Sequence, residues 1–597
     1  NLLTNLCEQT SDLNMPLQQL SMLSADETEA LLIAPNQSAQ AYPSEACLHE
    51  LISQQVKRNP TAKAVCFGEE YLTYEALEQR ANVLAYHLIT EHQVQANQLI
   101  GLCVERSLDM IVSVLGILKA GGAYYPLDLE HGVDINIARL GAQDVSVLVV
   151  SAQTAAIFSE CQVAQVQVGA LSDTNLDLAC VEQASRAHSS SQLAYVLSSS
   201  GTTGKPKSIG LCHKALHNLI VGMGEADGEL KRAHRVLQFA SIGFDMSYTD
   251  TALALLQGGS VHLIEQETRY DVGHLIEVIQ TQQLSVLNLP YAMLSLLAEV
   301  CVEKEIQLKS VEVIISTAEK LVITPTIKAF FAAHSTAKLI NHFGPTETHV
   351  CTIHSFTDSP ESWQVEPAIG TPIANSQAYV LAPDGSPTPF GSEGELYIAG
   401  DCLAHGYIGD NARTAEKFIA LTLAGVETRR AYRTGDIVKW VDGALHYAGR
   451  TDDQIKRNGF RLELKAIEQE MQAIAGVEKA KVIYNAKSGH GQLIGYFVSN
   501  EIGDEQRVRD ALLEALPEYM RPDHVVQLAQ FELTVNGKIN TAALPDITEL
   551  SAQSYVALET DTERHVAEIF SELLGVDVAK IGRNANFFSL GGHSLLA

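Results

Sequence analysis

LSSSGTTGKPK (197–207) is the stretch on which the reading of this chain turns. Serines and threonines, two glycines and two lysines are packed between an apolar run, LAYVL (193–197), and a second one, KSIGL (207–211). Glycine lets backbone N–H groups approach phosphate oxygens, hydroxyls donate hydrogen bonds, and lysine supplies charge. The spacing is not that of the GxxxxGK[ST] loop, because Gly201 and Gly204 are too close together and Pro206 would spoil a helix start. A flexible surface turn would not carry this composition inside strand-rich sequence, so the segment reads as a phosphate-binding loop.

Outward from the loop, helical periods alternate with short β-rich runs from about 46 to 449. EALEQRANVLAYHLI (75–89) places Leu77, Ala81, Leu84 and Leu88 on one helical face, as a core helix requires. VSVLVVS (145–151), KSIGL and VEVIIS (311–316) read as buried strands, so a layered α/β architecture is predicted. KAKVIYNA (479–486), LIGYFVS (493–499) and VRDALLEAL (508–516) predict a second, smaller α/β unit. After Pro545 a polar linker leads into RHVAEIFSELLG (564–575), where Val566, Ile569, Phe570 and Leu573 recur at helical spacing.

A chain of 597 residues exceeds what one hydrophobic core usually serves, so several domains are expected. The formal charge of −30 would repel the phosphates of nucleic acid, which excludes nucleic-acid binding as the working expectation. No apolar run reaches the roughly 18–20 residues that span a bilayer, so no membrane partner is expected. The longest such run, MIVSVLGIL (110–118), reads as a buried helix. Ten cysteines without a CxxC pair suggest neither a zinc cluster nor a disulfide framework, and point to a reducing cytoplasm. The chain starts at Asn1 without a signal-peptide pattern and reads as part of something longer.

The loop resembles the phosphate-loop signature of the adenylate-forming superfamily, which includes acyl-CoA synthetases, luciferases and nonribosomal peptide synthetase adenylation domains. The similarity continues in family order through LTYEAL (72–77), LKAGGAYYPLD (118–128), NHFGPTE (341–347) and GELYIAGDCLAHGY (394–407). YRTGD (432–436), GRTDDQIKRNGFRLE (449–463), LPEYM (516–520) and NGK (536–538) complete it. The resemblance implies a linker at 1–45 like the one after a condensation domain, a large subdomain over 46–449 and a small mobile one over 450–545. A linker at 546–558 and an incomplete all-α peptidyl carrier domain over 559–597 follow.

The implied reaction attacks the α-phosphate of ATP with a carboxylate and expels pyrophosphate, so fixed cations should dominate catalysis. The resemblance assigns Ser199, Ser200, Gly201, Thr202, Thr203 and Gly204 to the nucleotide, with Thr202 and Lys205 catalytic around the leaving phosphates. Phe343 takes the adenine-stacking place where tyrosine is more usual, beside Gly344 and Thr346, and Glu347 resembles the magnesium ligand. Asp436 corresponds to the ribose-binding aspartate, Arg450 lies near ribose and phosphate in relatives, and Asp452 matches the hinge. Lys538 of NGK resembles the catalytic lysine that bridges the substrate carboxylate and the α-phosphate.

Asp245 of FDMS (244–247) matches the aspartate that pairs with an α-ammonium group, which favours an amino acid over a fatty or aryl acid. The matched pocket positions are Met246, Thr249, Asn288, Ile315, Thr317, His342, Val350 and Cys351, closed by Lys538. With no second carboxylate or further lysine among them, a small polar substrate is expected, Asp/Asn-like or Ser/Thr. His342 is expected to hydrogen-bond an amide or, if protonated, to pair with a carboxylate.

FFSLGGHS (587–594) resembles the attachment site for 4'-phosphopantetheine, with Ser594 as the acceptor at a helix N-terminus. The implied partners are the carrier domain in cis, a neighbouring condensation domain or module, a phosphopantetheinyl transferase and a small accessory activator protein. Ser208, Lys465, Ala466, Asn540 and Asn584 depart from the family pattern, as does LDLEHG (127–132), without touching an assigned residue. A free acyl- or aryl-CoA ligase would need neither Asp245 nor Ser594. A degenerate scaffold module would not need Thr202, Glu347, Asp436 and Lys538.

Overall fold

The computed structural model describes residues 24–129, 132–171, 177–199, 207–423, 426–452, 454–457, 460–485, 491–499, 504–532, 539–545, 556–574, 577–583 and 585. They divide into two compact units, and the first of them ends at Asp452.

The first unit is built on two large sheets and a smaller one. Nine strands form the first: β1 (Lys63–Phe67), β2 (Glu70–Thr73), β3 (Arg235–Gln238), β4 (Ser260–Leu263), β5 (Val286–Pro290), β6 (Val313–Thr317), β7 (Lys338–Phe343), β8 (Thr352–Ser355) and β9 (Thr371–Pro372). Their spatial order is β9-β8-β7-β6-β5-β3-β4-β1-β2. The central strands β7 to β1 run parallel, and antiparallel β2, β8 and β9 finish the edges. The central strands are near-continuous apolar runs because both faces of a parallel sheet are covered.

The seven-stranded second sheet pairs Leu193–Ser199 with Lys207–Cys212 antiparallel, register running to Ser199↔Lys207, so these strands flank the phosphate loop. Residues 200–206 themselves lie outside the described residues.

Helix Tyr74–Thr90 shows why the sequence folds this way. The Thr73 hydroxyl accepts the Ala76 N–H at 3.2 Å as N-cap, and Leu77, Ala81, Leu84 and Leu88 are fully buried, as their spacing predicts. Helix Leu108–Lys119, predicted as a buried helix, packs so closely that a Cβ on Gly116 would lie 2.9 Å from Leu84 Cβ. The 311–316 run starts its strand later, at Val313, because the Val311 N–H closes a turn onto the Leu308 carbonyl at 3.0 Å. Leu31 and Leu32 are buried, and Asn36 binds the Ala378 backbone through both amide atoms (3.1 and 2.8 Å). These anchors tie part of the segment before residue 46 to the first unit.

The second unit has its own apolar core. Strands Val477–Asn485, Gln492–Ser499 and His524–Leu528 form its sheet, with helices Leu464–Ala473 and Glu505–Ala515. Helix Asp561–Leu574 follows. Of the predicted apolar face Phe570 is half-buried and Val566 and Ile569 are exposed, while Ala567 is 2% exposed; the Leu573 side chain lies outside the described ones.

The nine described cysteines are free. The fold does bring Cys47, His49 and His213 together, which the linear spacing hid, with ligand atoms within 4.8 Å of one another. That spread exceeds the about 3.5 Å between ligand atoms around tetrahedral zinc, so the cluster reads as core packing. Among the described residues no helix is long and apolar enough to cross a membrane.

Candidate active site

Strand β7 ends in Phe343, and the chain then doubles back on itself. A Cβ on Gly344 would sit 1.7 Å from the His349 carbonyl oxygen, so only glycine fits the crossing. The Cys351 N–H donates to the Phe343 carbonyl at 2.9 Å, and His349 takes a positive φ of 51° to complete the loop. Thr346–Thr348 form a single 3-10 turn inside it.

This loop buries the Glu347 carboxylate to 1% exposure, where Oε1 accepts the Tyr407 hydroxyl at 2.8 Å. The Ala404 N–H donates to the Glu347 carbonyl, also at 2.8 Å. Tyr407 and Ala404 belong to the GELYIAGDCLAHGY segment, so two motifs far apart in sequence meet at Glu347. Below them His349 shares a hydrogen bond with the Tyr195 hydroxyl, and burial pushes the His349 ring down to about 4.

A second element of the site comes from β10 (Val426–Val441) and β11 (Ala444–Arg450), which pair antiparallel with Asp436 opposite Arg450. Arg450 Nη1 donates to Asp436, and Nε donates to Asp452 at 2.6 Å. The Tyr447 ring lies 6.1 Å from that of Phe343 and is pushed up to about 12, by burial first and then by Asp436. Tyr447 thus links the Phe343 loop to the Asp436–Arg450 pair, a role no motif announced. An aromatic three residues before an arginine assigned to ribose and phosphate was the available signal.

The third element is α1 (Asp245–Leu256), with Phe244 at the N-cap and Asp245 its first residue. The helix is buried from Met246 through Leu255, Thr249 and Asp250 among them, so it is enclosed on all sides. Tyr195, Tyr124 and Tyr248 cluster beside it, with the Tyr195 and Tyr248 rings 4.2 Å apart. Tyr195 is pushed well up by burial and then by the Asp245 charge, so that carboxylate lies close to the ring that binds His349. Asn288, Ile315, Thr317 and His342 stand buried on β5, β6 and β7. Cys351 is buried and Val350 half-buried.

Two expectations change. Burial pushes the His342 ring down to about 3, so it is neutral and does not offer a charge to a substrate carboxylate. The pocket region also holds a carboxyl group that the motif alignment did not select: Asp250, 1% exposed, whose Oδ1 accepts the Asn288 Nδ2–H at 2.8 Å. Its place next to Thr249 was the signal available.

Glu347 suits a magnesium ion by its chemistry, since a buried carboxylate is a hard oxygen donor and this cation takes few protein ligands besides water and phosphate. Ser200, Gly201, Thr202, Thr203, Gly204, Lys205, Lys538 and Ser594 lie outside the described residues, and Ser199 is described as the end of its strand.

Residues 52–408 match the family described as AMP-binding enzyme, and 564–597 match the phosphopantetheine attachment site. Gramicidin S synthase 2 of Brevibacillus brevis is 36% identical over 589 residues, spanning 97% of this chain and 13% of that protein. Tyrocidine synthase 2 of Brevibacillus parabrevis is 35% identical over 594 residues, spanning 97% of this chain and 16% of that protein. The chain therefore spans less than a fifth of the length of these relatives. A solved NRPS protein containing adenylation and PCP domains, in holo form with a vinylsulfonamide inhibitor, shares 27% identity at a TM-score of 0.78. The alignment covers 93% of this chain and 91% of that one. With the family match spanning more than half its length, the chain belongs to the AMP-binding enzymes, as an adenylation region followed by a phosphopantetheine attachment site.

Proposed function

We propose that the chain activates a small polar amino acid as its adenylate and passes the acyl group to a carrier, as one part of a larger nonribosomal peptide synthetase. The observation that supports this reading is the burial of Glu347 in the loop that crosses itself at Gly344, with Phe343 at its start linked through Tyr447 to the Asp436–Arg450 pair. The names of the relatives, synthases of gramicidin and tyrocidine, support the assembly-line setting.

In this mechanism Phe343 stacks on adenine and Asp436 accepts the ribose hydroxyls. Asp245 pairs with the substrate ammonium, which holds the carboxylate for in-line attack on the α-phosphate. Thr202, Thr203 and Lys205 hold the leaving pyrophosphate, and Lys538 neutralises charge as it develops between carboxylate and phosphate. Glu347 would hold magnesium, which when bound supplies positive charge to the phosphate oxygens. Ser594 would carry phosphopantetheine, which when attached would supply a thiol for the activated acyl group. Asp452 is the hinge at which the small subdomain turns between the two half-reactions. The implied partners are neighbouring condensation domains or modules, a phosphopantetheinyl transferase and an accessory activator, in a reducing cytoplasm.

The test is amino-acid-dependent exchange of labelled pyrophosphate into ATP, run over all proteinogenic amino acids and a panel of fatty and aryl acids. Exchange with a small polar amino acid, lost in Asp245→Ala, is the expected result. Exchange confined to acids without an amino group would instead identify a CoA-ligase-like activity.

A further inference from the structure

Several buried polar atoms on one side of the nine-stranded sheet have no hydrogen-bond partner. Asn288 pairs in register with Ile315, and Ile315 with Ile340, so these three share a face. Two residues on along their strands, Thr317 and His342 lie on the same face, because strand side chains alternate. The Asn288 side chain meets α1 here, through its hydrogen bond to Asp250.

Asn288 is 1% exposed and His342 3% exposed. The Asn288 Oδ1, the Asp250 Oδ2 and both ring nitrogens of His342 are buried without a hydrogen-bond partner. Buried polar groups are normally satisfied, so a concentration of unsatisfied ones along an enzyme's candidate pocket points to a ligand that completes them. With strands about 4.8 Å apart and residues about 3.3 Å apart along each, the Cα atoms of Asn288 and His342 are separated by about 12 Å.

The direction of the Asn288 amide is settled by Asp250. The Asn288 Nδ2–H donates to Asp250 Oδ1, a carboxyl that burial pushes well above the usual carboxylate range, so the NH2 of Asn288 turns toward α1 and the amide oxygen is left as an acceptor for something else. Arg106, the cation whose charge acts on Asp250, is engaged elsewhere. Its guanidinium donates to the Gln238 and Phe239 carbonyls at 3.0 and 2.7 Å and to the Gln238 side chain at 2.7 Å. The neutral imidazole of His342 offers one donor and one acceptor.

We propose that Asp250 is a positioning residue that aims the Asn288 carbonyl into the pocket, and that the substrate side chain recognised there is a primary carboxamide. This deepens, and rests on, the amino-acid-activating reading above. The carboxamide NH2 donates to Asn288 Oδ1, and its carbonyl accepts from the N–H of His342. A planar amide carries donor and acceptor on two separate arms and so bridges partners on different strands, whereas one hydroxyl oxygen must meet both at a single point. A carboxylate side chain would face the Asn288 carbonyl with no positive partner. A site built around such hydrogen bonds rejects analogues that cannot make them.

The experiment is pyrophosphate exchange by the full chain with asparagine, glutamine, aspartate, serine, threonine, ornithine, lysine and 2-aminobutyrate. It is repeated for Asp250→Asn and Asn288→Ala, with melting curves to confirm folding. The expected result is a carboxamide amino acid preferred at least tenfold in kcat/KM, with that preference lost in Asn288→Ala. Asp250→Asn should raise KM for the carboxamide about tenfold more than it raises KM for 2-aminobutyrate, with KM for ATP moved less than either. A uniform fall across all substrates in Asp250→Asn would reduce the residue to a structural role and overturn its assignment. Wild-type preference for an acidic, basic or hydroxyl amino acid would overturn the carboxamide while leaving amino-acid activation in place. Exchange with none of these, but with simple acyl or aryl acids, would defeat the function itself.

Discussion

Arg450 and Asp436 face each other across paired antiparallel strands, and the guanidinium that binds Asp436 through Nη1 is held from its other edge by Asp452 at 2.6 and 3.0 Å. The Thr434 carbonyl accepts a further N–H at 3.2 Å. Gly435, at φ +78°, makes room for this arrangement, since a Cβ there would stand 3.0 Å from Arg450 Nη2. The ribose-assigned carboxylate and the hinge-assigned one therefore share a single cation.

If Asp436 receives the ribose hydroxyls, its loss removes hydrogen bonds to ATP and leaves the Arg450 charge turned only toward Asp452. Asp436→Ala is expected to raise the KM for ATP about 10–100-fold, equivalent to roughly 1.4–2.7 kcal/mol. The KM for the amino acid should stay within about threefold. Pyrophosphate exchange with each substrate varied in turn checks this.

Lys538 should behave differently, because its ammonium acts on charge that exists only as the α-phosphate is attacked. Lys538→Ala is expected to lower the rate constant of adenylation about 100–1000-fold, several kcal/mol of transition-state stabilisation, with smaller changes in either KM. Acyl transfer from preformed aminoacyl-adenylate to the carrier should survive, as measured by loading of labelled amino acid. Equal loss in both half-reactions would deny Lys538 its specific place in the first.

Much of this site could be read from the chain. Motifs such as GPTE and YRTGD are contiguous, and the groups they hold sit on single strands and turns whose local geometry the residues dictate. What escaped was contact across elements. Tyr447 comes beside Phe343 only because β11 packs near the end of β7, and Asp250 meets Asn288 only through the packing of α1 on the sheet. The neutral state of His342 likewise depends on complete burial, which no periodicity reveals. The helix Asp561–Leu574 shows the limit of periodicity alone. Helical spacing found the helix and the half-buried Phe570, yet it did not single out Ala567, which is buried, from Val566 and Ile569, which are exposed among the described residues.

Gly344 provides a purely steric test. Its missing side chain is replaced by the His349 carbonyl, and backbone cannot yield as a flexible side chain would. Gly344→Ala is expected to destabilise the first unit by about 1–3 kcal/mol and to displace the turn that carries Glu347. The melting temperature should fall, and the magnesium concentration required for half-maximal exchange should rise by more than the loss of folded protein explains.

Acid should unfold the first unit through its buried imidazoles. His342 and His349 have folded values of about 3 and about 4, against 6.5 when exposed, because burial disfavours the charged ring. Between pH 6.5 and 4 the unfolded chain therefore binds protons that the folded chain refuses, so stability falls as pH falls through this window and is fully present above it. Each such histidine contributes a loss of about 3 kcal/mol by pH 4. The chain's two tryptophans, Trp363 and Trp440, are both buried in this unit, so their fluorescence reports its unfolding. The urea midpoint followed by tryptophan emission should decline steadily from pH 6.5 to 4, and His342→Gln should flatten that decline. A midpoint independent of pH across the window would mean that these rings can take up a proton without leaving the folded state.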